Sequence, residues 1–301
     1  MHIPSHISAL RTKYFLKKNK KTSLNEDIGL IKSLLRNPNK PFLIGRLGFT
    51  ESLVVGNIIT KYYDQSVEKE AEQESGVFPG SFLTTILCAS EQLFALNNCD
   101  LLAVWPIPYL RKATKVSNFS GNFIDLEALN LLKCFSISEI WSTLLLNKKV
   151  LIISPFKETI KQNYLKKEQI KHLNEILPDL KSLDVIKAPY GTFANSNDKT
   201  NSSWVNNLHE MQKKMSKIDY DICLTGCGGY GFPLACYSKV FLEKPALHLG
   251  GALQLLFGIK GQRWTRKEHA FSIKKYMDTW ESPLIVDQPE DPNSIELGAY
   301  F

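Results

Sequence analysis

Three glycine-bearing segments hold the residues best suited to chemistry. LTGCGGYGFPLACYSKV (224–240) sets Gly226, Gly228 and Gly231 in the G-x-G-x-x-G spacing, with Gly229 and Tyr230 between them. An apolar run precedes this turn and a helical pattern follows it, so its backbone N–H groups can approach a phosphate while the helix adds its positive N-terminal end. Pro233 suits the first turn of that helix, where a missing N–H costs nothing. HLGGALQLLFGIKGQRW (248–264) follows a second strand end, with His248, Gly250 and Gly251 first and Lys260, Arg263 and Trp264 just past a short apolar helix. There Lys260 and Arg263 can neutralise a pyrophosphate leaving group, and Trp264 can stack on a base or a sugar ring. FLIGRLGFTES (42–52) puts Arg46 and Gly48 after a third strand and Glu51 in the first turn of the next helix. A carboxylate in that place can bind a divalent cation, act as a base or contact a ribose. Each segment has a plainer alternative: a tight turn that only packs a helix, a solvated basic helix end, and an acid that complements a helix dipole. His248, inside an apolar strand end, likewise has the alternative of a hydrogen-bonded core histidine.

The glycine spacing alone does not choose a ligand. A nicotinamide dinucleotide site needs an acidic side chain at the end of the next strand to hold the ribose hydroxyls. That strand is PALHLGG, and its end offers His248, Gly250 and Gly251 with no carboxylate. A triphosphate loop of the G-x-x-x-x-G-K-[ST] type is absent from the sequence. What remains is a phosphate-tolerant turn without a dinucleotide partner, which suits a mononucleotide diphosphate such as the donor half of a nucleotide sugar.

The elements that must position these residues follow from periodicity. PFLIGR (41–46), DLLAVW (100–105), KKVLIIS (148–154), SLDVIKAP (182–189), YDICLTG (220–226) and KPALHLG (244–250) read as buried strands, with helical segments between most of them. Ser23 and Glu26 form a capping box ahead of LIKSLL, the cluster Asn37, Pro38, Asn39 ends that helix, and Ser81 caps FLTTILCASEQLFAL. TESLVVGNIITKYY (50–63) reads as a helix. Strands so uniformly apolar must be covered on both faces, which predicts an α/β, Rossmann-like αβα sandwich around a mostly parallel, doubly wound sheet. Ligands in such sheets sit outside the carboxyl ends of the strands, so Trp105, Ser154, Pro155, Pro189 and Tyr190 join the positions of interest. The polar stretch TFANSNDKTNSS (192–203) is a candidate lid or a plain surface loop.

The hydrophobic fraction of 44% and charged fraction of 22% are those of a globular chain, and no run approaches the length needed to span a bilayer. The start shows no apolar signal-peptide core, which points to a cytoplasmic protein. Six cysteines, including Cys134, lie scattered without metal-site spacing and read as reduced core thiols. Much of the net charge of +7 sits in one block, Arg11, Lys13, Lys17, Lys18, Lys20 and Lys21. Such a block can attract an anionic membrane surface at the inner face, or it is a solvated face. No recognition-helix, zinc-finger or RNP-type pattern accompanies it, so nucleic acid is not an expected partner. Residues 1–40 are expected to form a basic helical segment packed on a single domain spanning 41–301.

Together IGRLGFTE, the 224–240 block and LHLGGALQLLFGIKGQRW resemble the GT-D-type glycosyltransferases of bacterial surface-polysaccharide and glycoprotein assembly, and SPLIVDQPEDPNSIELGAYF is similar to the tail of such proteins. The resemblance covers roughly residues 40 to 301. It implies a Rossmann-like fold, a nucleotide-diphosphate sugar donor and an oligosaccharide or lipid-linked glycan acceptor. It also implies donor contacts from Arg46, Gly48, the 226–231 turn, Gly250, Gly251, Lys260, Arg263 and Trp264, with Glu51 or His248 as general base. The family's first motif usually reads R-x-G-D-G-E, an acidic pair for Mn²⁺ or Mg²⁺; here Phe49 stands at the aspartate position and only Glu51 remains. Two alternatives stay open: a catalytically inactive nucleotide-sugar-binding partner of a glycan assembly complex, and a nucleotide-dependent oxidoreductase or epimerase.

Overall fold

Consecutive residues of the central strands are apolar because each faces a different helical layer. Leu43 and Ile44, Leu101 and Leu102, and Val150 and Leu151 each split between two separate buried clusters on the two faces of one sheet. The structure, a computed structural model, describes residues 5–37, 40–60, 62–130, 140–170, 172–190, 203–265, 279–294 and 298–301. The chain begins with α1 (Ser5–Asn19), α2 (Leu24–Leu35), β1 (Leu43–Arg46), α3 (Phe49–Ile59), α4 (Ser66–Ser75) and α5 (Phe82–Asn97). It continues with β2 (Leu101–Val104), α6 (Leu110–Val116), β3 (Asn122–Asp125), β4 (Lys149–Ser154), α7 (Lys157–Leu165), α8 (Leu173–Ile176) and β5 (Ser182–Lys187). The last elements are α9 (Trp204–Met215), β6 (Ile222–Thr225), α10 (Gly231–Val240), β7 (Ala246–His248) and α11 (Leu253–Leu256).

Among the described residues seven strands form one sheet in the order β3-β2-β1-β7-β6-β4-β5, and every pairing is parallel. The expected α/β, Rossmann-like doubly wound architecture is therefore present. One face is covered by α2, α7, α8 and α11, through residues such as Ile31, Ile160, Ile176 and Leu255. The other is covered by α3, α4, α5, α6, α9 and α10, through residues such as Val54, Leu96, Trp204 and Leu234. Local signals act where the sequence puts them: Ser23 and Glu26 close a reciprocal capping box at α2, and the Ser81 hydroxyl accepts the Thr84 N–H at α5.

The structure departs from the reading of the sequence in a few elements. β3 has no counterpart among the expected strands; Asn122–Asp125 is an edge strand with an exposed to half-buried face, too short and polar to show an apolar run. α3 stops at Ile59 with Thr60 as its C-cap, short of the expected Tyr63. α4 was not expected either, because SVEKEAEQES is polar; only Val67, Ala71 and Ser75, at i, i+4 and i+8, face the core. The candidate lid lies outside the described residues except for Ser203, which caps α9 by accepting the Asn206 N–H at 3.2 Å. Pro38, Asn39 and Cys134 also lie outside them. Cys88, Cys99, Cys223, Cys227 and Cys236 are free, buried thiols whose ionisation burial pushes well above the ordinary cysteine range.

Candidate functional site

The chain leaves β1 for α3 on one face of the sheet and leaves β7 for α11 on the other. Neighbouring strands whose connections part in this way open a crevice at their carboxyl ends. A cleft of about 550 Å³ lies there. Its walls come from the ends of six strands: Arg46, Ser154 and His248 as the last residues of β1, β4 and β7, Trp105 just after β2, Tyr190 after β5 and Gly226 just after β6. All three glycine segments thus meet in one place.

The β6 turn is built by close backbone approach. A side chain on Gly226 would meet the Gly250 carbonyl at 2.6 Å, so the turns after β6 and β7 lie directly against each other. Gly228 adopts φ +53° with the Ser75 carbonyl 2.8 Å from where a Cβ would sit; both the angle and the space require glycine. Gly226, Gly228 and Tyr230 line the cleft, and Tyr230 is a fixed wall whose ring stacks on Trp204 with centroids 5.5 Å apart. Gly229 and Gly231 face away from it. The Gly229 carbonyl accepts Gln92 Nε2 at 2.9 Å, and Gly231 lets α10 pass over the His248 ring, 2.3 Å from a Cβ there.

Two guanidinium groups straddle the β7 turn. A Cβ on Gly250 would lie 3.1 Å from Nη1 of Arg46, and one on Gly251 would lie 2.6 Å from Nη1 of Arg263. Arg46 also lies 5.7 Å from the Trp105 ring centroid, and Arg263 lies 4.6 Å from that of Tyr300. The C-terminal residues hold this arrangement: Arg263 N–H donates to the Ala299 carbonyl at 2.9 Å, and Gln254 Nε2 donates to the Tyr300 carbonyl at 2.9 Å. Gln254 Oε1 is buried at the cleft wall with no hydrogen-bond partner among the described residues, an acceptor ready for a ligand donor or a water.

His248 is buried with its Nδ1 3.0 Å from Thr225 Oγ1. The Thr225 hydroxyl donates its one hydrogen to the Gly231 carbonyl at 2.7 Å, so Nδ1 must be the donor to Oγ1 and Nε2 carries the lone pair. Burial, and then the Arg46 charge, hold its pKa down at about 3, so the ring is neutral at physiological pH. A base so weak fits a fixed hydrogen-bond acceptor better than a general base, a role the sequence offered to either Glu51 or His248. Carboxylates also line the cleft. Glu51 is buried and folds back over Gly48, where a Cβ would lie 1.8 Å from its Oε2. Glu70 and Glu74 on α4, at i and i+4, line the same cleft, and burial followed by the Asp64 charge raises the Glu70 pKa.

Four expected donor contacts are not on the cleft wall: Gly229 and Gly231, which face away from it, and Lys260 and Trp264. Lys260 sits where its backbone N–H donates to the Glu281 carbonyl at 2.8 Å, outside the lining. Trp264 is 7% exposed within the core cluster, because the short helix Gln262–Thr265 turns Arg263 to the cleft and its neighbour inward. The polar residues of α4, together with Gln254 and Tyr300, were missed from sequence. For α4 the available signal was the i, i+4, i+8 stripe of Val67, Ala71 and Ser75, small residues in an otherwise polar segment.

No family model matches this chain, and no curated protein or solved structure matches it. The fit of a metal therefore rests on the donor set. Among the described residues no three His, Cys, Asp or Glu side chains converge as a cation site, and Phe49 lines the cleft beside Glu51. That donor set does not fit a divalent cation held by the protein alone, and no chemical step is routed through one. Among the described residues no helix is long and apolar enough to cross a membrane.

Proposed function

We propose that this chain is a glycosyltransferase that moves a sugar from a nucleotide-diphosphate donor to a hydroxyl group of an oligosaccharide or lipid-linked glycan acceptor, in bacterial surface-polysaccharide or glycoprotein assembly. The observation that carries the reading is the pair of guanidiniums on consecutive glycines of the β7 turn, beside the glycine turn of β6. Two bidentate cations over exposed backbone suit a diphosphate, whose charge grows as the sugar departs. Arg46 and Arg263 then carry the charge neutralisation that a metal performs elsewhere. In the transfer step the acceptor oxygen bonds to the anomeric carbon, the bond from that carbon to the diphosphate oxygen breaks, and its electron pair leaves with the nucleoside diphosphate. Glu51 takes the acceptor proton, with Glu70 as the second carboxylate of the cleft. Gln254 Oε1 and the His248 ring are acceptors for sugar or base donors, and Tyr300, Tyr190 and Trp105, rather than the buried Trp264, supply the aromatic surface.

A second reading, a nucleotide-sugar-binding partner without turnover, is favoured by Phe49 at the position where a second acid would stand. One experiment separates the two. Thermal shift with a panel of nucleotide sugars, with and without Mn²⁺, is followed by transfer assays on the chain, Arg263→Ala and Glu51→Gln. The proposal expects donor stabilisation, weakened about tenfold or more in affinity by loss of Arg263, and transfer reduced on the order of a hundredfold in Glu51→Gln with donor binding kept. Binding without transfer supports the second reading. Stabilisation by NAD(H) and none by nucleotide diphosphates overturns both in favour of an oxidoreductase or epimerase.

A further inference from the structure

α1 is amphipathic in an unusual sense. Its packed side is small and partly polar: Ser8 and Thr12 are buried, the Ser8 hydroxyl accepts the Tyr109 N–H at 2.8 Å, and Phe15 meets Phe123 edge-to-face at 5.7 Å. The opposite side turns apolar residues to solvent. Ile7, Leu10 and Tyr14, at i, i+3 and i+7, are 38%, 64% and 75% exposed. Exposed cations flank this stripe: Arg11, Lys13, Lys17, Lys18 and, just past the helix, Lys21. Lys20 differs, being turned inward to the buried carboxylate of Asp27 at 3.0 Å.

The neighbouring helix extends the same charge. α6 packs on α1, with the Arg111 guanidinium 6.0 Å from the Phe15 ring, and it exposes Arg111, Lys112 and Lys115. Neither helix contains an Asp or Glu. Two adjacent helices therefore present a basic field with no internal acid to cancel it and an apolar wedge along its centre. The sequence showed the first part of this surface; the fold adds the second.

We propose that the face formed by α1 and α6 docks on an anionic phospholipid surface, with Leu10 and Tyr14 entering the headgroup layer and the lysines and arginines around them holding the lipid phosphates. The chemistry favours a lipid surface over a nucleic acid because phosphates alone would account for the cations but not for apolar side chains held out between them. The inference is independent of the glycosyl-transfer reading, since it uses no residue of the cleft.

The test is co-sedimentation of the full chain with vesicles of phosphatidylcholine alone and with an anionic fraction of phosphatidylglycerol, across a salt series. Binding is expected only to the anionic vesicles and is expected to weaken as salt rises. Lys17→Gln with Lys18→Gln lowers the partition coefficient about fivefold per lysine. Leu10→Ser with Tyr14→Ser lowers it on the order of tenfold or more, with circular dichroism and Tm unchanged because both side chains are exposed. A Tyr14→Trp variant reports insertion directly, through a blue shift of its fluorescence on anionic vesicles. Absence of binding to phosphatidylglycerol vesicles overturns the proposal. So does binding that is indifferent to Leu10 and Tyr14, or equal affinity for a DNA duplex, which would mark the face as a phosphate-binding surface only.

Discussion

His248 shows how one residue's meaning depends on its surroundings. Its ordinary pKa of 6.5 falls to about 3 in the folded chain, first through burial and then through the Arg46 charge. Between those two values the unfolded chain binds a proton that the folded chain refuses, so His248 removes stability as pH falls from 6.5 toward 3 and has no effect above 6.5. The loss amounts to at most about 1.4 kcal/mol per pH unit. In His248→Gln that contribution disappears, and the difference in unfolding free energy between the two proteins should shift by roughly 2 kcal/mol in favour of the variant from pH 7 to pH 5. Parallel pH profiles in urea titrations would show that the ring is not held neutral. Arg263 and Trp264 make the same point. Adjacent in sequence and alike in apparent promise, they part because a single turn sends one side chain to the cleft and the other to the core.

At the scale of elements, α10 is held against β7 by an absence. Gly231 brings the helix to within contact of the His248 ring, and the Thr225 hydroxyl bonds both the Gly231 carbonyl and the ring's Nδ1. Gly231→Ala places a methyl group 2.3 Å from the ring carbon Cε1, and neither helix nor strand can yield without disturbing the turn above them. A loss of about 2 kcal/mol is expected, with a fall in donor affinity. Gly29 in α2 is the control: a Cβ there meets nothing within 4 Å, and Gly29→Ala is expected to raise stability by about 0.5–1 kcal/mol. Thermal unfolding of the two variants checks both signs. Helix starts and buried strands were legible because capping boxes and apolar runs are local signals. α4 and β3 were not, since a polar helix lining a cleft and a half-exposed edge strand take their stability from neighbours rather than from their own pattern.

Among the described residues one sheet carries a helical layer on each face, and strand residues alternate between the two cores. Neither layer can lose its packing while the sheet stays intact. Denaturant unfolding followed by tryptophan fluorescence and by far-ultraviolet circular dichroism is therefore expected to give coincident transitions. Separated midpoints would mean that the two faces unfold as independent units.

By itself the amino-acid sequence determined the αβα class, most strand positions and the three glycine segments, because apolar runs, caps and turn residues act over a few neighbours. It also marked the strand ends Trp105, Ser154, Pro189 and Tyr190 as places for a ligand. Only the tertiary structure decided which of these face one another. The order β1-β7-β6 brings residues some two hundred positions apart onto one crevice, seats Arg46 and Arg263 on adjacent glycines, and carries Glu70 into the cleft while leaving Lys260 and Trp264 outside it. Strand order is set by how long connections cross the sheet and by which layer each helix can join. No local pattern encodes that choice.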